Sequence, residues 1–197
     1  MSEKIVNTFT FYGNEQVKDF EQALIQRFQQ DRTQGNDEMT AVKRIIFGLS
    51  QDEDFNSYEM MGADWAWYFG STINFQLESK QCSVTELQDY ITLNAAKIDP
   101  NVVVQMDFAG NTPTLVGTRF TCLDDDGQVI ASEAEQDLDF WFCDEQDVEE
   151  TLENLDGNGQ VMSYQELDQL IIDLRESALT DFNSFSGKDP ITLISNS

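Results

Sequence analysis

The chain opens on a strict alternation. "KIVNTFTFYG" places apolar and polar residues by turns and is rich in strand formers, which predicts a strand over 4–12. Past Gly13 the period changes. Val17, Phe20, Leu24 and Phe28 recur at helical spacing, with Asn14 at the N-cap position of the helix they predict. "RTQGNDE" reads as a loop, and "AVKRIIFGL" fits a short helix or a strand. Acidic turns follow, then an aromatic cluster in "DWAWYF". "STINFQLES" alternates as a strand, and "SVTELQDYITLNAAKI" reads as a helix with Ser83 and Glu86 in capping-box spacing.

"NVVVQMDFAG" is the next strand. "TPTLVGTRFTCL" and "GQVIASEAEQDLDFWF" flank "DDDG", the signal of a β-hairpin. "DEQDVEETLENL" and "SYQELDQLIIDLRESAL" read as helices. Ser163 and Glu166 cap the second, and Leu167, Leu170, Ile171 and Leu174 form its apolar stripe. The order β-α-linker-β-α-β, then a hairpin, then two helices, predicts an α+β fold: an antiparallel sheet with helices on one face. The expected organisation is an α+β unit over 1–142 that includes the acidic hairpin, an acidic helical extension over 143–182, and a loosely held polar tail over 183–197.

Within "SEAEQDLDFWF", Glu133, Glu135, Asp137 and Asp139 alternate with Ala134, Gln136, Leu138 and Phe140. In one strand, period two puts the four carboxylates on one face with Trp141 beside them, repeating at about 6.6 Å along a line. Phosphates along one nucleic-acid strand repeat on a similar scale. The next segment adds Asp144, Glu145, Asp147, Glu149, Glu150 and Glu153, and Asp124, Asp125 and Asp126 lie at the hairpin's other end. Two readings stand: a solvated face in a very acidic protein, or a surface that imitates a row of phosphates.

Charge sharpens the question. The 197 residues carry 37 acids and 11 bases, a net charge of -26, yet 40% of them are hydrophobic, enough for a core. Residues 124–181 hold 19 acids and a single base, Arg175. Such a chain is not expected to bind nucleic acid or an anionic membrane directly; basic proteins and cations are its natural partners. There is no histidine, which removes the commonest general base and zinc ligand. Cys82, Cys122 and Cys143 form no C-x-x-C pair and read as reduced thiols. With no apolar leader in "MSEKIVNTFTFYG" and no 18-residue apolar run, the expectation is a soluble, cytoplasmic protein.

"NTFTFYGNEQVKDF", "GADWAW" at 62–67 and "VVVQMDFAGNTPTLVGTRF" resemble motifs of plasmid and phage proteins that carry a YubB ferredoxin-like domain, over about residues 4–134. Ala63, Asp64 and Ala66 depart from that family's pattern. The resemblance implies a ferredoxin-like fold and a mobile-element origin, and carries over no catalytic residue.

Other chemistry is weakly signalled. "NLDGNGQVMSYQEL" approaches an EF-hand loop, with Asn154, Asp156 and Asn158 at positions 1, 3 and 5 and Gly159 at 6. Position 12, where calcium needs a bidentate acid, is Gln165; Glu166 comes one residue late, about 100° further around a helix. A Gly-rich turn between helices is the simpler reading. Among so many acids, paired carboxylates of glycosidase or nuclease type arise by chance, and no P-loop, G-x-S-x-G or GxGxxG is present. "DWAWYF" (Trp65, Trp67, Tyr68, Phe69) is either a base-stacking platform or sheet core, and acidity favours core. The sequence thus points to a non-enzymatic protein without a cofactor. Its expected partner is a basic nucleic-acid-binding protein or complex, blocked by DNA mimicry as an anti-restriction or anti-CRISPR inhibitor blocks its target. The alternative is a calcium-binding or purely structural acidic module.

Overall fold

The computed structural model of the chain describes residues 4–33, 38–50, 52–63, 66–68, 74–80, 82–110, 115–138, 140–154, 160–189 and 191. It is an α+β structure built on a six-stranded antiparallel sheet, in the order β2-β3-β1-β4-β5-β6. The strands are β1 (Lys4–Tyr12), β2 (Ala66–Tyr68), β3 (Phe75–Lys80), β4 (Val103–Gly110), β5 (Leu115–Leu123) and β6 (Val129–Asp137). Helix α1 (Glu15–Thr33) follows β1; α2 (Glu38–Ile45) and α3 (Ser57–Met61) precede β2; α4 (Thr85–Ala96) joins β3 to β4.

Alternation along β1 decides which face is covered. Ile5, Asn7, Phe9 and Phe11 are buried, while the residues between them are half-buried. This first face meets α1, α2 and α4 in a large apolar cluster that includes Phe28, Val42, Leu87, Ile91, Phe75 and Met106. Tyr68, from the aromatic cluster, stacks on Phe28 and Phe75, so it belongs to this core. Trp65 and Phe69 lie outside the described residues. Asn14 caps α1 as its position predicts, accepting from the Gln16 and Val17 N–H groups.

The cap of α4 differs from its expected capping box. The N-cap is Val84, with no side-chain hydrogen bond, and Glu86 accepts instead from the Thr85 hydroxyl at 2.7 Å. Val84 is fully buried and its N–H donates to the buried Asn7 Oδ1, so core packing fixes the entry of this helix. Between α4 and the sheet runs a polar seam. Gln88 donates to the Val104 and Arg119 carbonyls, and Thr92 pairs with Thr121.

The second face carries the C-terminal helix α6 (Tyr164–Phe185). Val103, Phe120 and Cys122 pack there against Ala178, Leu179 and Phe182. The expected stripe of Leu167, Leu170, Ile171 and Leu174 is only half-buried; the tight contact lies one to two turns further on. Arg175 of α6 forms an ion pair with Asp107 of β4 at 2.9 Å, and Asp107 also accepts from Gln105 and Thr118. The capping box at Ser163 and Glu166 is present, with both hydrogen bonds made.

Candidate acidic interface

The register of β6 on β5 settles the geometry of the row as far as Asp137. Glu133 lies opposite Arg119, Glu135 opposite Gly117 and Asp137 opposite Leu115. Directly paired residues share a face, so the three acids share one face of the last strand in the sheet's order. It is the face that carries α4, because Arg119 reaches that helix. Arg119 Nη1 donates to Asp89 at 2.7 Å, to Gln88 Oε1 at 3.0 Å and to the Thr85 carbonyl at 3.4 Å. Its Nε stands 3.6 Å from Glu133. Gly117 is required where it stands: a Cβ there would come within 2.4 Å of the Phe108 ring.

One base therefore sits among several acids. Arg119 is only 8% exposed, and its charge is shared by Asp89 and Glu133. Burial pushes the Glu133 carboxyl above its ordinary range. Arg119 pulls it back, and Glu135, Asp89 and Glu86 push it up again. These carboxylates interact with one another through space, and the positive charge among them is insufficient to balance them.

The row ends sooner than expected. A continuous strand to Phe142 would have kept Asp139 and Trp141 in line, but β6, paired with β5 from Val129 to Asp137, ends at Asp137. Leu138 then turns into the protein and is buried. Trp141 belongs instead to β7 (Trp141–Cys143), which pairs in parallel with β8 (Val161–Ser163) in a separate two-stranded sheet. Trp141 thus belongs to a different strand from the row. Asp139 lies outside the described residues.

The remaining predicted acids fall in two places. In the β5–β6 turn, Asp124 Oδ1 accepts from the Asp126 and Gln128 N–H groups, so that carboxylate holds the turn. Gly127 supplies the positive φ the turn needs (77°). Asp125 and Asp126 are exposed, at the opposite end of β6 from Asp137. Asp144, Glu145 and Asp147 are exposed on a 3₁₀ turn (Glu145–Asp147) and its N-cap. Glu149 and Glu150 are exposed in the first turn of α5 (Val148–Asn154), where the helix dipole favours acids. Glu153 lies in α5. Sequence reasoning missed Arg119, Glu86 and Asp89, which only the packing of α4 over β5 brings to the row.

In the EF-hand-like stretch, residues 155–159 lie outside the described residues, Asp156 and Asn158 among them. Glu166 is engaged. Its Oε2 accepts from the Ser163 N–H at 2.8 Å and from the Ser163 hydroxyl at 2.9 Å, and these bonds hold its carboxyl below its ordinary range. Among the described residues no helix is long and apolar enough to cross a membrane. Comparison of the chain with family models, with curated proteins and with solved structures finds no match.

Proposed function

We propose that the chain is a non-enzymatic acidic protein that occupies the nucleic-acid-binding surface of a basic partner, offering carboxylates where that partner expects phosphates. One observation carries this reading: Glu133, Glu135 and Asp137 stand on one face of an outer strand, with Glu86 and Asp89 of α4 near by and, among the described residues, Arg119 as the one base between them. Like charges so placed repel, and Arg119, shared by Asp89 and Glu133, offsets only part of that repulsion. A cationic partner surface would. The proposed target class is a restriction, CRISPR or recombination enzyme. The order β2-β3-β1-β4, with α1 and α4 as the two long crossovers, supports a ferredoxin-like reading of the first four strands. That is the fold the resemblance to the plasmid and phage family implies.

A second reading is favoured by the position of β6. Acids on an edge strand keep other strands from pairing with it. On that reading the row is a guard and binds nothing.

The test is retention of partners on the immobilised chain from bacterial lysate at low and high salt, with duplex DNA as competitor. The proposal expects a basic DNA-binding protein to be retained at low salt, released by salt, and displaced by DNA, since electrostatic association weakens steeply with ionic strength. Retention that neither salt nor DNA disturbs contradicts it.

A further inference from the structure

A cleft that the acidic row does not use opens beside β1 and β4, between α1 and α6. It has a volume of about 250 Å³. Thr10 and Tyr12 of β1 and Gln105 and Asp107 of β4 line its floor. Lys18 and Glu21 of α1 stand on one rim, and Arg175 of α6 on another.

The floor is internally satisfied. Tyr12 donates to Gln105 at 2.6 Å, Gln105 donates to Asp107, and Asp107 holds Arg175. The rims are not. Arg175 spends its Nε–Nη2 edge on Asp107, and its Nη1 has no hydrogen-bond partner among the described residues. Lys18 and Glu21 are three residues apart on α1, a spacing that permits an ion pair, yet among the described residues Lys18 pairs with no acid. Among the described residues Glu21 forms no ion pair; burial pushes its carboxyl above the ordinary range, and the Phe75 backbone pulls it part of the way back. A carboxylate, a guanidinium edge and an ammonium thus line one small cleft, each with bonding capacity to spare.

The chain's own field selects among ligands. A free anion would suit Arg175 and Lys18 but would be repelled by a protein of net charge -26. A simple cation would be drawn by that field but would meet two bases inside. A molecule that carries both charges and no net charge escapes both penalties. We propose that this cleft binds a small zwitterion of the α-amino-acid class, its ammonium on Glu21 and its carboxylate on Arg175 and Lys18. The polar floor favours a polar side chain on the ligand.

Calorimetric titration of the full chain tests this, with L-glutamine, L-serine and L-threonine as probes. N-acetyl-L-glutamine lacks the ammonium, L-glutamine amide lacks the carboxylate, and inorganic phosphate and glucose serve as comparisons. At least one of the three amino acids should bind saturably at one site. Blocking either end of L-glutamine, or substituting Glu21→Gln or Lys18→Gln, should weaken binding of the amino acid about tenfold or more, the loss of one charge pair. Unchanged melting temperatures would show that the variants fold. Should Glu21→Gln unfold, Lys18→Gln and the blocked ligands still decide. Absence of saturable binding by all three amino acids at millimolar concentration overturns the proposal. So does equal binding of the blocked ligands, or binding of phosphate or glucose in their place.

Discussion

Two arginines reach the sheet from opposite sides and keep different company. Arg175 comes from α6 to the second face and meets Asp107, whose oxygens are also served by Gln105 and Thr118. Base and acid balance there, and the pair fastens a helix to a strand. Arg119 rises from β5 on the first face and meets Asp89 and Glu133, with Glu135 and Glu86 close enough to raise the Glu133 carboxyl. There the acids outnumber the base, and the surplus faces outward at the last strand. The contrast separates charge used to hold the fold together from charge left available to a partner, a distinction net charge alone does not draw.

The largest effect is expected on removing the hub of the unbalanced cluster. Arg119→Met keeps the length of the stem but leaves Gln88 Oε1 and the Thr85 carbonyl without their donor and lets Asp89 and Glu133 repel unscreened. Losing a buried, charge-assisted donor should cost about 2–3 kcal/mol, lowering the melting temperature by roughly 5–10 °C. A shift under one degree would mean that Arg119 is not what holds the acids on β6 and α4 together. Asp107→Asn should cost less, about 1 kcal/mol, because Arg175 is partly exposed and Asn keeps one acceptor for Thr118. If Asp107→Asn proved the more damaging of the two, the ranking of the two faces would be reversed.

The row itself was legible in the sequence; the company each arginine keeps was not. Period two along "SEAEQD" put Glu133, Glu135 and Asp137 on one face, and the register agrees. The S-x-x-E spacing at Ser163 marked a true capping box, but the same spacing at Ser83 did not, because burial of Val84 outweighs a cap in placing that helix. Trp141 falls in β7, which pairs with the later strand β8, so period two along 132–142 does not reach it. The pairing of β7 with β8 involves three residues each, too few for a period to show. Glu86 and Asp89 join the row only through tertiary packing.

Smaller effects concern the medium. Salt screens like charges, so the melting temperature should rise by a few degrees from low salt to about 0.3 M. The folded Glu133 carboxyl lies above its ordinary range, so its ionisation opposes folding. The relative stability it contributes is complete below the ordinary carboxylate range and is lost as pH rises through its raised value. Lowering the pH from neutrality toward that range should therefore raise the melting temperature slightly, and Glu133→Gln should remove part of that gain. Below it the trend should turn. The Glu166 carboxyl, held low by its capping box, contributes stability present above the ordinary range and lost as pH falls through its lowered value. A melting temperature indifferent to both salt and pH would show that the acids are already compensated.

The central claim is that the β6 row is a binding surface, and one comparison tests it most directly. The row variant combines Glu133→Gln, Glu135→Gln and Asp137→Asn. A control variant combines Glu15→Gln, Asp19→Asn and Glu59→Gln, three exposed acids away from β6. Wild type, row variant and control are immobilised and offered bacterial DNA-binding proteins eluted from a duplex-DNA column. Retained protein is measured with and without competing duplex DNA. The account predicts that wild type and control retain the same protein, that DNA displaces it, and that the row variant retains at most about a tenth as much, the loss of a few charge contacts at about 0.5 kcal/mol each. Equal retention by the row variant, or retention that DNA does not displace, contradicts the account. So does a row variant that merely aggregates while wild type retains nothing, which would identify the row as an edge guard.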